Sequence, residues 1–239
     1  MAPRPRRSPA RYGIVGDGRL ARHICRYFSL LSIPHRRWSR RSGADLERTL
    51  AGCPVLLLLI SDDALAGFVA AHPAAPGQVL VHCSGALSVP GAQGFHPLMS
   101  FGSRLLSLEE YRAVPFISES GARPFPEVFP ELGNPHHTIP AGSRAFYHSL
   151  AVLSGNFSVM LWQKLFREFR DTLRLPQAAA LPYLRQVFRS LERDPAAALT
   201  GPVQRGDAGT VSRNLQALAG DPFARVYESF VLAAQEERG

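Results

Sequence analysis

Two histidines in this sequence stand where a proton could be handed to a reacting group. His96 lies in Gly94-Phe95-His96-Pro97-Leu98-Met99-Ser100-Phe101, a lone imidazole among bulky apolar side chains. Reduction of a carbonyl or an imine leaves an anion that needs a proton, and histidine is the side chain whose ordinary pKa falls in the working range. A structural histidine bonded to backbone fits the same segment equally well. His148 opens a second constellation: it stands eight residues before Asn156 on a mostly apolar segment with helical spacing. At 3.6 residues per turn the two project from nearly one face, two turns apart. Polar groups on such a face need a use, either in hydrogen bonds between packed elements or in a substrate site. Arg205, in the turn Thr200-Gly201-Pro202-Val203-Gln204-Arg205-Gly206-Asp207, could reach a substrate carboxylate, although a Gly- and Pro-rich turn is by default a connection. Asp207 fits the N-cap of the helix that follows.

What must position these groups begins near the start of the chain. Gly13-Ile14-Val15-Gly16-Asp17-Gly18-Arg19-Leu20-Ala21 sits between a short apolar strand and an amphipathic helix. Gly16 and Gly18 let a pyrophosphate approach the amides that open the helix, those of Arg19 and Leu20 among them, and Ala21 lets helix and strand pack closely. This is the G-x-G-x-x-A fingerprint of a dinucleotide fold in its strand-turn-helix context. The cofactor is distinguished about 20 residues later, where an NAD site carries an acidic residue for the ribose hydroxyl. Here the sequence reads Trp38-Ser39-Arg40-Arg41, a hydroxyl and two guanidinium groups, which suit a phosphate by charge and bidentate geometry. Ser39, Arg40 and Arg41 therefore point to NADP. Beyond the third and fourth strands, Ser61-Asp62 and Ser84-Gly85 should line the same crevice, with Asp62 expected chiefly as a helix N-cap.

The element pattern supports this arrangement. Strands are expected over 11–15, 33–38, 55–60 and 78–82, and more weakly over 113–117 and 136–139, with helices between the first four. Alternation of this kind is the mark of a parallel α/β sheet. After Pro140 the pattern turns to long helical stretches over 143–173, 177–193, 208–219 and 223–237. The expected organisation is a disordered basic tail (1–10), a Rossmann-like NADP-binding domain (11–140) and an all-α domain for substrate and dimerisation (141–239).

Composition excludes several classes. The chain has 239 residues, 46% of them hydrophobic, and its longest apolar run, Pro54 to Ile60, is far too short to cross a bilayer and reads as a buried parallel strand. Cys25, Cys53 and Cys83 are odd in number and widely spaced; no disulfide framework or metal site is expected, and a reducing cytoplasm suits them. The net charge of +8 comes from arginines spread over many helices, with Lys164 the only lysine, so nucleic acid is not the expected partner.

Taken together, the glycine turn, His82-x-Ser84-Gly85-Ala86-Leu87, Phe95-His96-Pro97-Leu98-x-Ser100-Phe101, Tyr147-His148 through Asn156, and Leu199 to Val211 resemble a bacterial Rossmann-like family with a C-terminal DUF2520 domain. That family is similar to the 6-phosphogluconate dehydrogenase superfamily. The resemblance covers about residues 11 to 219. It implies an NADP-binding domain, a helical domain that often makes dimers, and an active site between them; a ketopantoate-like substrate is one option. This sequence departs from the family pattern at Ser61 (usually proline), Phe95 (usually glycine) and Gly155 (usually serine). It also lacks the helix Lys with an Asn one turn later that hydroxyacid dehydrogenases of the superfamily use, so a histidine, His148 or His96, would have to supply the proton. The expected function is NADP-dependent reduction of a carbonyl or imine in a small, carboxylate-bearing substrate, with Asn156 and Arg205 orienting it. The alternative is a non-catalytic NADP-binding sensor or scaffold.

Overall fold

The computed structural model describes residues 11–236, and the basic tail over residues 1–10 lies outside the described residues. The first element is β1 (Tyr12–Val15), followed by α1 (Arg19–Leu30), β2 (His35–Trp38), α2 (Leu46–Leu50), β3 (Val55–Leu58), α3 (Asp62–Ala71) and β4 (Val79–His82). The alternation read from the sequence therefore holds, with strands shortened by one or two residues at most ends. Two dipeptide strands not expected from the sequence come next, β5 (Gln93–Gly94) and β6 (His96–Pro97), then α4 (Leu108–Arg112), β7 (Phe116–Glu119), α5 (Phe125–Val128) and β8 (His136–Ile139).

The first five strands form one parallel sheet in the order β2-β1-β3-β4-β5. β6, β7 and β8 form a separate three-stranded sheet with β6 antiparallel to β7. The two weak strands of the sequence reading thus leave the main sheet. In the main sheet side chains alternate between two cores, as the pleat requires. Tyr12, Ile14, Val55, Leu57 and Leu59 pack with Ala21, Ile24 and Phe28 of α1, whereas Val15, Leu56 and Leu58 pack with Leu65 and Val69 of α3. A sheet covered on both faces needs continuous apolar strands, which is why the Pro54 to Ile60 run reads as it does.

From residue 144 onward the chain is helical: α6 (Arg144–Ala151), a π-helical turn (Val152–Phe157), α7 (Ser158–Asp171), a 3₁₀ turn (Gln177–Ala180), α8 (Leu181–Arg193), α9 (Pro202–Arg205), α10 (Ala208–Ala217) and α11 (Phe223–Glu236). Two compact units result, one reaching Met160 and one beginning at Leu161. Within the second unit, Asp207 caps α10 by accepting from the Thr210 amide, as its position in the sequence indicates.

Candidate active site

A cavity of about 1080 Å³ opens at the carboxyl ends of β1, β3 and β4. In an open parallel sheet this is where a ligand binds. Its walls include Gly16, Gly18, Arg19, Leu20, Ser39, Arg40, Arg41, Ser61 and Ser84. Gly16 must be glycine for two reasons: its φ is +129°, and a Cβ there would sit 2.3 Å from the Leu59 carbonyl oxygen. Gly18 has the opposite surroundings, with nothing within 4 Å of where its Cβ would be. The turn is therefore pressed onto β3 at one glycine and open at the other. No side chain caps the N-terminus of α1 and its first turn has no acid, so its free amides stay available to an anion.

At the end of β2 the two arginines differ. Arg41 makes a two-pronged ion pair with Asp17, at 2.8 and 3.0 Å, and the guanidinium holds the Asp17 carboxyl below the usual carboxylate range. Arg40 is exposed and has no side-chain partner among the described residues. No carboxylate stands at the strand end itself, where Trp38, Ser39 and Arg40 follow one another. Asp62 corrects an expectation: the N-cap of α3 is Ser61, and Asp62, the first helical residue, accepts a hydrogen bond of 2.8 Å from Ser84 Oγ instead. Ser84 Oγ in turn accepts from the Ala86 and Leu87 amides, so the turn after β4 is fixed from both sides.

Gly85 does not face the cavity. It is buried under His148, whose Cδ2 would lie 2.2 Å from a Cβ at this position. The expected proton donors are brought together here: the rings of His96 and His148 meet at right angles with centroids 5.7 Å apart. Tyr147, to which sequence reasoning gave no role of its own, joins them through a 2.7 Å hydrogen bond between its hydroxyl and His96 Nδ1. Burial, with His148 and then Arg144 nearby, pushes the His96 pKa down to about 4. Near neutral pH its ring is thus uncharged, and one nitrogen donates while the other accepts.

Arg144, the first residue of α6, holds this group in place and was also missed. Only 2% exposed, it donates from Nη1 to the Ser84 carbonyl and from Nη2 to that of Gly94, each at 2.7 Å, and from Nε to Glu119 Oε2 at 3.2 Å. Gly94 has to lack a side chain, because a Cβ would lie 2.3 Å from Nη2. Glu119 also accepts from Ser88 Oγ and the Gly142 amide, so the buried charge is paired and hydrogen-bonded on all sides, as burial demands. His82 lies in the same cluster, buried, with its pKa pushed down to about 4 by desolvation and then by Arg144. One turn after Arg144 come Tyr147 and His148, so the ties of Arg144 to the turns after β4 and at β5 fix where those two side chains stand. An arginine at the start of a predicted helix was the only sequence signal for it.

Asn156 is exposed within the π-helical turn. The near-common face expected for His148 and Asn156 is corrected: in a regular α-helix residues eight apart point about 80° away from one another. Only the π-helical turn over 152–157, which turns through less per residue, closes part of that angle. Ser154 bonds back to the Leu150 carbonyl at 2.8 Å, so its hydroxyl is engaged by its own helix. Arg205 belongs to the other unit, exposed at the end of α9 between Gly201 and Gly206, both with positive φ. Among the described residues no group of His, Cys, Asp and Glu could hold a metal ion, and no helix is long and apolar enough to cross a membrane.

Comparisons place this architecture. BF3122 from Bacteroides fragilis, described as a candidate NADP oxidoreductase, superposes with a TM-score of 0.72 at 21% identity, covering 94% of this chain and 97% of that one. Protein TM1727 from Thermotoga maritima gives 0.68 at 26% identity over 95% and 100%, and an imine reductase from Streptomyces aurantiacus 0.66 at 14% over 94% and 93%. No curated protein matches the sequence. Residues 118–234 match the family model described as a domain of unknown function, DUF2520. Residues 118–234 are thus similar to the DUF2520 domain and follow a Rossmann-like parallel sheet, in a fold shared with NADP-linked oxidoreductases.

Proposed function

We propose that this protein is an NADP-dependent oxidoreductase that reduces a carbonyl or imine of a small, carboxylate-bearing substrate. The observation that carries the reading is the cavity at the strand ends, with an uncapped glycine-led helix on one side and Ser39 and the exposed Arg40 on the other. In this reading the amides after Gly16 and Gly18 hold the pyrophosphate, and Ser39 and Arg40 hold the 2′-phosphate, Arg41 joining them from its pair with Asp17. Bound NADPH supplies a hydride; a proton comes from the cluster of His96, Tyr147 and His148; Asn156 orients the substrate. The same general fold carries NADPH in solved reductive aminase structures of Aspergillus terreus, which supports the choice of cofactor.

The helices support a homodimer. No residue of α7, α8, α10 or α11 is buried, and Phe146, Leu153, Phe230 and Leu232 are each more than half exposed. Apolar helical surface of this extent is covered in solution, and a second copy is the partner it fits. Titration of the purified protein with NADPH and with NADH, followed by nicotinamide fluorescence, tests the nucleotide reading: NADPH is expected to bind the tighter. Binding of neither at millimolar concentration overturns it. Tight NADPH binding without oxidation across keto acids and cyclic imines favours a sensor or scaffold.

A further inference from the structure

Near neutral pH a histidine that remains uncharged makes a poor acid, and that leaves the source of the proton in the His96 cluster to be found. The group in direct contact with His96 is the Tyr147 hydroxyl, 2.7 Å from Nδ1, with the two rings nearly perpendicular and their centroids 5.6 Å apart. Tyr147 is half-buried, on the first turn of α6, whose start is locked by the three hydrogen bonds of Arg144. A hydroxyl held at one distance on a locked turn is what a general acid requires. Tyr147 resists ionisation, because burial pushes its pKa above the ordinary tyrosine value, so the phenol carries its proton across the physiological range.

Resting on the oxidoreductase reading above, we propose that Tyr147 is the catalytic proton donor and that His96, donating from Nδ1–H to the Tyr147 oxygen, is its positioning residue. With the tyrosine oxygen accepting from His96, the phenol's own hydrogen is left for the substrate. As the substrate C=O or C=N carbon takes up a hydride, with NADPH oxidised to NADP⁺, the π electrons move onto oxygen or nitrogen. The Tyr147 O–H bond breaks, its proton joins that atom, and the electron pair stays on the tyrosine oxygen. The His96 N–H and the nearby Arg144 charge stabilise the phenolate until solvent returns a proton. His148, against Gly85 and with its ring perpendicular to that of His96, packs on the imidazole and takes no proton in this scheme.

The test uses the full chain with its histidine rings labelled with nitrogen-15. Long-range nitrogen-proton correlation spectra report which ring nitrogen of His96 bears the hydrogen, without any substrate. The expected result is the Nδ1–H tautomer in the wild type and a shift toward Nε2–H in Tyr147→Phe, which cannot accept. An Nε2–H tautomer in the wild type means that the tyrosine gives its proton to His96, and overturns the assignment. In parallel, NADPH oxidation is followed with pyruvate and with Δ1-pyrroline as probes. Tyr147→Phe is expected to lower kcat by about 10²-fold or more with KM and NADPH affinity unchanged. His96→Gln, which can still donate, is expected to keep more of kcat than His96→Ala. Full kcat in Tyr147→Phe overturns the role of Tyr147 alone. A wild type that fails to bind NADPH, or binds it and reduces neither probe, overturns the oxidoreductase reading and this assignment with it.

Discussion

The two halves of this chain bury their apolar residues in opposite ways. Up to Asn134 the chain closes on itself: both faces of the parallel sheet are covered, and Tyr12, Phe28, Leu57, Phe95 and Phe129 are excluded from solvent almost completely. From α6 to the end of the described residues only Arg144 and Ala180 are buried, although the helices are amphipathic and rich in leucine and phenylalanine. Helices draw most of their stability from a packed apolar face rather than from intrinsic propensity. One half is thus a core in its own right, and the other leaves its apolar faces exposed among the described residues.

Substitutions at matched residues break this comparison most sharply. Phe28→Ala, in α1 and fully buried, is expected to cost about 3–5 kcal/mol in urea unfolding, since it removes ring contacts and leaves a cavity. Phe230→Asp in α11, at a residue 53% exposed, should leave the sheet-bearing half unchanged by that measure while converting a dimer to monomers in sedimentation velocity. A variant that sediments like the wild type breaks the dimer reading. Arg144→Met comes next, at about 3–5 kcal/mol, because it strips Glu119 of its buried partner and leaves two backbone carbonyls without donors. The same variant should release His148 from its place over Gly85, visible as a change in its ring proton shifts.

Acid sharpens the comparison further. Unfolded histidines take a proton near pH 6.5, whereas burial holds folded His82 and His96 to about 4, with Asp62, and for His82 also Glu119, only partly offsetting burial and the Arg144 charge. Between those values the unfolded chain binds more protons, so stability is complete above pH 6.5 and falls as the pH drops toward 4. The loss should appear in the near-ultraviolet signal of the sheet-bearing half, and His82→Gln should flatten the slope. Smallest is Arg40→Ala: fold and stability unchanged, NADPH affinity lowered about tenfold, NADH affinity unmoved. Equal losses for both nucleotides would remove Arg40 from 2′-phosphate recognition.

Much of the first half was legible along the chain because its information is local. The glycine turn, the apolar run from Pro54 to Ile60 and the alternating cores follow from backbone angles and the two-residue pleat, which neighbouring residues fix among themselves. The N-cap at Asp207 was readable for the same reason, and Asp62 misread for the complementary one: a capping-competent residue was claimed by Ser84, 22 positions away. Arg144 was invisible because its partners Ser84, Gly94 and Glu119 lie 25 to 60 residues distant and two are carbonyls, which carry no side-chain signature. The π-helical turn was hidden too, since residues 143–173 read as one helix.

What the sequence alone determined is the class of fold, the strand ends where a nucleotide would lie, and the absence of an acid after β2, because each depends on residue type within a few neighbours. The tertiary structure decided which polar side chains meet: Tyr147 with His96, His148 over Gly85, Asp62 with Ser84, and Arg144 with two strand-end turns. Those pairings depend on chain segments returning to one point in space, and a hydrogen bond forms only where both partners arrive within about 3 Å.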